Sequence, residues 1–226
     1  MASIYFITGT DTGVGKTVLT TLLVRHLRER GVRALAVKPF CSGGREDAQL
    51  LRKAQANEVS LNLLNPWHFR APLTPLLAAR REKRKVRQAE ALQFLRSAAT
   101  QCETLLIEGA GGLLSPLGEG FDARDLIVDL KARPIIVCPN RLGAVNQVRL
   151  VLAALPPRLV KVSRIVLMQT AGNSLATRTN ASLLKELLKG QKAEIIPLIS
   201  RRVLLGTGQL TPKLHRCLET IICQKL

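Results

Sequence analysis

The segment Gly9-Thr10-Asp11-Thr12-Gly13-Val14-Gly15-Lys16-Thr17 restricts the possible folds of this chain more than any other stretch. It follows a short β-forming apolar run, Ser3 to Thr8, and opens a helical pattern from Lys16 to Arg30. Strand, glycine-rich turn and helix in that order describe a phosphate-binding loop, in which glycines let backbone N–H groups close around phosphate oxygens. The helix N-terminus adds partial positive charge, Lys16 reaches the β- and γ-phosphates, and the Thr17 hydroxyl can hold Mg2+. Gly13, Val14 and Gly15 are therefore expected to cradle the nucleotide. The strict spacing would put glycine at position 10, where Thr10 stands; counted from Gly9, the loop is one residue longer than the standard form. A plain glycine-rich turn capping a helix is the alternative, and the Lys16-Thr17 pair at the helix start argues against it.

Gly31 ends the first helix, and Val32 to Val37 reads as a second strand that exits at Lys38-Pro39. Further apolar strands are expected at Thr104 to Ile107, Pro134 to Cys138 and Arg164 to Met168, with helices at Arg87 to Cys102, Ala144 to Leu155 and Thr179 to Leu188. Near-continuous apolar strands alternating with helices imply a parallel sheet covered on both faces. The expected fold is a three-layer α/β domain with a mostly parallel central sheet. No repeat, low-complexity tract or linker divides residues 1–226, which read as one domain, with Asn65 to Pro75 as an ordered surface loop. No apolar run is long enough for a membrane span and no signal-peptide pattern precedes Ser3, so a cytoplasmic protein without membrane contact is expected. The five cysteines are an odd number without CxxC spacing, which argues against disulfides and zinc and for reduced, mostly buried thiols.

Leu105-Leu106-Ile107-Glu108 followed by Gly109-Ala110-Gly111-Gly112 is an apolar strand ending in an acid, with glycines that admit phosphate or substrate to the backbone. Glu108 is thus a candidate Mg2+ ligand at the ligand-binding edge of the sheet. Asp47 is either a second carboxylate ligand or the N-terminal cap of a helix. Lys38 leaves the second strand at the same edge, so it is read as a second cation near a transferred phosphate, with Ser42 as a hydroxyl donor.

Lys and Arg outnumber Asp and Glu, 34 to 16, a net charge of +18. Such a charge favours anionic partners. Aromatics are only 3% of the chain, which leaves few stacking platforms for single strands, and nucleic acid is not expected as a partner. The basic run Arg80 to Arg87 reads as a solvated connection before a helix. Trp67, Phe94 and Met168 read as packing residues, and His26 and His68 lack the spacing of metal ligands.

Five motifs in order, GTDTGVGKT (Gly9 to Thr17), KPFCSG (Lys38 to Gly43), NPWHF with APLTPLLAA (Asn65 to Ala79), EGAGG (Glu108 to Gly112) and LGAVNQ (Leu142 to Gln147), resemble the dethiobiotin synthetase family. The resemblance covers almost the full length, and the longer phosphate loop is a family trait. It implies a P-loop NTPase-like fold and an ATP- and Mg2+-dependent cyclo-ligase of biotin synthesis. In this family 7,8-diaminononanoate is carboxylated by CO2 to a carbamate, which attacks the γ-phosphate of ATP, and the carbamic–phosphoric anhydride is closed by the second amine. Carried over, Lys16 holds the phosphates; Thr17, Asp47 and Glu108 hold Mg2+; and Thr12, Lys38 and Ser42 face the carbamate and the moving phosphoryl group. Lys38, Lys16 and Thr12 become the catalytic set, and Gly13, Val14, Gly15, Gly111 and Pro197 join the nucleotide contacts. A homodimer is implied, with the substrate tail carboxylate held by the second copy at Leu142, Gly143 and Asn146.

Two departures stand out. Gln169-Thr170 replaces the usual Asn-Asp whose Asn recognises adenine, so the base contact passes to a longer amide. Gly13 stands where some members have Glu. Three other readings compete. A partition- or cell-division-type ATPase switch shares the fold, but its loop has Lys where this chain has Asp11. An amidating cobyrinate-type synthetase would need a glutaminase domain for which the chain has no room. A relative that binds nucleic acid without catalysis would need the positive charge but not the retained Lys16, Thr17, Lys38, Asp47 and Glu108.

Overall fold

The computed structural model describes residues 2–172, 174–188, 193–205 and 207–222. From the N-terminus the chain runs through β1 (Ser3–Gly9), α1 (Lys16–Glu29), β2 (Ala34–Val37), β3 (Phe40–Ser42), α2 (Glu46–Ala54), α3 (Leu61–Leu64), β4 (Trp67–Phe69), α4 (Pro75–Arg81) and α5 (Gln88–Thr100). It continues through β5 (Thr104–Glu108), β6 (Pro116–Gly118), β7 (Phe121–Asp122), α6 (Ala123–Asp129), β8 (Arg133–Asn140), α7 (Ala144–Ala153) and α8 (Pro157–Val162). The last elements are β9 (Arg164–Gln169), α9 (Leu175–Leu187), β10 (Ala193–Ile196), α10 (Arg201–Leu204) and α11 (Pro212–Ile221).

Six of the strands form one sheet in the order β10-β9-β8-β1-β5-β2, and every pairing within it is parallel. Alternation along each strand divides the core into two layers, as side chains two residues apart share a face. Tyr5 and Ile7 of β1 pack with Leu19, Leu22 and Leu23 of α1 and Leu214 and Leu218 of α11. Phe6 lies on the other face with Leu95 of α5, Leu126 of α6 and Val148 of α7. Both faces are buried, which is why these strands read as unbroken apolar runs: Leu105, Leu106 and Ile107 are all fully buried. The expected three-layer α/β fold is the observed one.

Because the sheet is parallel, the C-terminal ends of all six strands meet one edge. Gly9, Glu108, Lys38, Asn140, Gln169 and Pro197 therefore follow or close their strands on the same side. Strands are added to both sides of β1, and ligands of such sheets bind at that reversal. The outer strand β2 is closed by a side chain: Ala36 N donates to Gln55 Oε1 at 2.9 Å and Gln55 Nε2 donates to Ala36 O at 3.0 Å. This satisfies the unpaired edge of β2 without another strand.

The Asn65 to Pro75 stretch differs from the expected surface loop. Asn65 is buried, Trp67–Phe69 forms β4 in parallel pairing with β3, and Pro75 starts α4. Packing supplies the missing signal, since the Trp67 ring stacks on Phe40 at 5.0 Å and meets Phe94 edge-on at 5.6 Å. The basic run is likewise only partly a connection: Arg80 and Arg81 end α4, Arg84 lies over the Phe69 ring at 4.8 Å, and Val86 is buried. Cys41, Cys102 and Cys138 are buried thiols and Cys217 is half-buried, whereas Cys223 lies outside the described residues. No helix among the described residues is long and apolar enough to cross a membrane.

Candidate active site

The phosphate loop leaves β1 and is tied to the neighbouring strand by Thr10 N donating to Val137 O at 3.0 Å. Gly15 caps α1 with φ 101°, a left-handed conformation costly to side-chain-bearing residues, and a Cβ there would stand 2.9 Å from Met168 Cγ. Conformation and space both demand glycine, and Met168 packs beneath the loop as expected. Lys16 is buried, and its Nζ donates to Asp11 O at 2.8 Å. Burial, helped by the nearby Lys38 charge, outweighs the attraction of Glu108, Asp47 and Asp11 and lowers its ammonium pKa to about 8.

Opposite the loop, three charged groups from three elements meet. Lys38 follows β2, Asp47 sits in the first turn of α2, and Glu108 ends β5. Lys38 Nζ donates to Glu108 Oε1 at 2.7 Å and also to Asp47 Oδ2. Thr17 Oγ1 donates to the same Glu108 Oε1 at 2.6 Å. Glu108 is fully buried, whereas the Asp47 side chain is half exposed. Burial works against the Lys38 charge, but Glu108 and Asp47 outweigh it and hold the ammonium above its ordinary range. Of the two readings of Asp47, the cap fails: Arg45 occupies the N-cap of α2, and the Asp47 carboxylate is turned to Lys38.

A cavity of about 660 Å³ gathers Thr12, Gly13, Gly15, Lys16, Thr17, Lys38, Ser42, Asp47, Glu108 and Gly111. The remaining expected residues stand elsewhere. Val14 is buried in the core layer beneath the loop. Gln169 and Pro197 lie further along the sheet edge, after β9 and β10. Gln169 Oε1 accepts from Asn140 Nδ2 at 3.0 Å, and Asn140 Oδ1 in turn accepts from Asn180 Nδ2 at 2.9 Å. Leu142 and Asn146 are exposed, and Gly143 caps α7 in the left-handed region at φ 90°.

The sequence reading missed several residues of the site. Pro72, Leu73, Thr74 and Pro75 form a wall of the cavity, and Cys41 and Ser115 line it. Ser115 Oγ accepts from Gly112 N at 2.8 Å and so braces the glycines after Glu108. Asn65 fixes the base of Lys38, donating from Nδ2 to Lys38 O at 2.8 Å while its Oδ1 accepts from Arg45 Nε at 3.1 Å. The APLTP and NPWHF segments were visible as motifs, but nothing local tied them to Lys38. Burial pushes the Cys41 thiol up, away from reactivity at neutral pH.

The donors suit a hard divalent cation. Glu108 Oε2 is buried with no hydrogen-bond partner, beside a threonine hydroxyl and a second carboxylate, an all-oxygen set of the kind Mg2+ takes. Among the described residues no three His, Cys, Asp or Glu side chains are gathered into a metal cage. A cation here would thus need phosphate or water oxygens to complete its shell, as Mg2+ at nucleotide sites does.

Known proteins resemble this chain over most of its length. The model of a family described as "AAA domain" matches residues 3–210. A protein of Akkermansia muciniphila named "ATP-dependent dethiobiotin synthetase BioD" is 37% identical over 183 residues, 80% of this chain and 86% of that one. A protein of the same name from Anaeromyxobacter sp. (strain Fw109-5) is 42% identical over 168 residues, 73% of this chain and 75% of the relative. Among solved structures, a ParA family ATPase from Chlorobium tepidum superposes with a TM-score of 0.59 at 10% identity, covering 97% of this chain and 91% of the other; this likeness shows the P-loop NTPase-like fold alone. With relatives at this identity over most of both chains, and a phosphate loop facing the Lys38–Asp47–Glu108 cluster, the chain belongs to the dethiobiotin synthetase family.

Proposed function

We propose that this protein is an ATP-dependent dethiobiotin synthetase that carboxylates 7,8-diaminononanoate with CO2 and closes the ureido ring in biotin biosynthesis. One observation carries the reading: two buried lysines and two carboxylates from four separate segments converge on the cavity that the phosphate loop opens into. The residues 1–226 act as one catalytic domain in this account.

The amine first adds to CO2 and loses a proton, giving a carbamate. A carbamate oxygen attacks the γ-phosphorus, the bond to the bridging oxygen breaks and ADP leaves. The second amine then attacks the carbonyl carbon of the mixed anhydride and expels phosphate, which closes the ring. Negative charge accumulates on carbamate and phosphate together, and a cavity with fixed cations stabilises it without reorganisation. Lys16 would bind the β- and γ-phosphate oxygens together with the backbone of Gly13, Val14 and Gly15. Lys38 would face the carbamate and the transferred group, with Thr12 and Ser42 supplying hydroxyls. Ser42 Oγ is buried without a partner in this structure, as a substrate contact would be before substrate arrives. Mg2+, held by Thr17, Asp47 and Glu108, would neutralise phosphate charge.

Gly111 would border the phosphates, while Gln169 and Pro197 would border the base and ribose. The Gln169 carbonyl accepts from Asn140 Nδ2, and its NH2 group donates to Thr170 O at 3.4 Å and Gly172 O at 3.3 Å, so a base would be met by exchanging these longer NH2 contacts. The substrate tail carboxylate would reach Leu142, Gly143 and Asn146 of a second copy, where the N-terminal N–H groups of α7 suit an anion. Leu142 and Leu150, 83% and 62% exposed, are the apolar contacts that such a homodimer would cover.

The test is incubation of the purified protein with 7,8-diaminononanoate, 13C-bicarbonate, Mg2+ and ATP, read by mass spectrometry. The expected product is dethiobiotin carrying one 13C. Folded, nucleotide-binding protein that forms none would overturn the assignment.

A further inference from the structure

The proposed reaction gives Asp47 and Glu108 to a divalent cation and Lys38 to the substrate. In the structure these groups are spent on one another. Lys38 Nζ donates to both carboxylates, and on Glu108 it takes Oε1, the oxygen that the Thr17 hydroxyl also uses. The ammonium therefore sits on one oxygen of each carboxylate, beside the unpartnered Glu108 Oε2, where a divalent cation drawn to these groups would meet a like charge.

Burial explains why it stands there. Glu108 is fully buried, and a buried carboxylate without a positive partner is strongly disfavoured, so the protein supplies a positive charge of its own here. Lys38 is the nearest one, since Lys16 Nζ is turned to Asp11 O. An ammonium and a divalent cation drawn to the same two carboxylates repel each other, most strongly at the fully buried Glu108.

We propose that Lys38 is the resident counter-ion of the metal site, displaced by the divalent cation that arrives with the nucleotide, and that this displacement frees its ammonium for the substrate. The proposal rests on the synthetase reading above and adds a rule to it: without nucleotide the site takes up a divalent cation poorly.

The backbone permits such an exchange. Lys38 N donates to Leu64 O at 3.0 Å, and Lys38 O accepts from Asn65 Nδ2 at 2.8 Å. The main chain is thus anchored on both sides of Cα, and the change is a rotation of a flexible four-carbon stem with three donors at its tip. Ser42 Oγ, without a partner in the same cavity, is an acceptor open to the released ammonium. The arrangement also ties two events together, because the substrate-facing cation is released only when the metal and its nucleotide are in place.

The experiment measures Mn2+ binding by electron paramagnetic resonance on the full chain, with and without a non-hydrolysable ATP analogue. Without nucleotide, Lys38→Met is expected to bind Mn2+ at least about tenfold more tightly than wild type, since a competing charge has been removed. Lys38→Arg, which keeps the charge, should stay near wild type. With the analogue, wild type and Lys38→Met should both bind tightly. Equal affinities without nucleotide, alongside normal binding with the analogue, would overturn the exchange and leave the metal site standing. No Mn2+ binding by wild type under either condition would overturn the metal site and the exchange with it. Should Lys38→Met not fold, as checked by circular dichroism, 15N-lysine labelling of wild type replaces it. The Lys38 ammonium resonance is expected to move with Mg2+ plus analogue and not with Mg2+ alone. A resonance unmoved by Mg2+ plus analogue would overturn the proposal.

Discussion

Replacing Lys38 by alanine should separate catalysis from binding. Lys38 is 6% exposed and held by Asp47 and Glu108, so its charge acts where water does not screen it. Losing one preorganised charge partner of a developing anion typically costs about 10²–10³ in rate, roughly 3–4 kcal/mol. We therefore expect Lys38→Ala to lower kcat at least about 100-fold. The KM for ATP should change little, because in the proposed reaction Lys16 and the loop backbone hold the phosphates. The same substitution leaves Glu108 buried without its cation, a loss that costs about 3–5 kcal/mol when nothing relieves it. Thermal unfolding should thus show a lowered Tm that Mg2+ with an ATP analogue largely restores, since the metal supplies the missing charge. The assays are steady-state turnover at saturating Mg2+–ATP and melting curves with and without the ligands. A variant with kcat within about threefold of wild type would remove Lys38 from the transition state and refute the reasoning.

Four further outcomes follow from the same geometry. Gly15→Ala must place a Cβ in a φ 101° backbone and 2.9 Å from Met168, so it should lower stability by about 1–3 kcal/mol and abolish binding of a fluorescent ATP analogue. His26 on α1 and His215 on α11 meet through their Nδ1 atoms at 2.7 Å, and burial, then the His215 charge, lower the His26 pKa against Glu219 and Glu29. The folded state thus resists a proton that the unfolded chain accepts: stability should fall as pH drops below about 6.5, with a slope that His26→Asn removes in pH-dependent melting. Gln169→Asn should raise the ratio of kcat/KM for ATP over CTP and GTP, and an unchanged ratio would remove position 169 from base recognition. Leu142→Asp should shift sedimentation from dimer toward monomer and raise the KM for the diamine acid, and a variant unchanged in both would refute the dimer reading.

The strands that bury both faces were legible because burial leaves a continuous apolar signature, as in Leu105-Leu106-Ile107. β10 was not legible: four residues, one of them Glu194, are too few to show a period. The short helices α3 and α4 and the three-residue strand β4 were also missed, since their place is set by contacts such as Trp67 on Phe40 that lie far apart in sequence, and α2 showed only in the alternative reading of Asp47 as a helix cap. At the site, residue types and edge position identified Lys16, Thr17, Lys38, Asp47 and Glu108 correctly as neighbours. The pairing of Lys38 with both carboxylates was not legible, because it depends on the burial of Glu108 and on contacts between segments far apart in sequence. Asn65 escaped notice for a similar reason, as its partners, the Lys38 carbonyl and the Arg45 guanidinium, lie far from it in sequence.

The most direct test of the phosphoryl-transfer account is the fate of oxygen from labelled CO2. If a carbamate oxygen attacks the γ-phosphorus, the phosphate expelled at ring closure carries that oxygen. Rapid reaction of protein, diamine, Mg2+ and ATP with C18O2, read by mass spectrometry of the released phosphate, should show one 18O per phosphate formed with product. Phosphate free of 18O, with dethiobiotin still produced from the labelled CO2, would contradict the account.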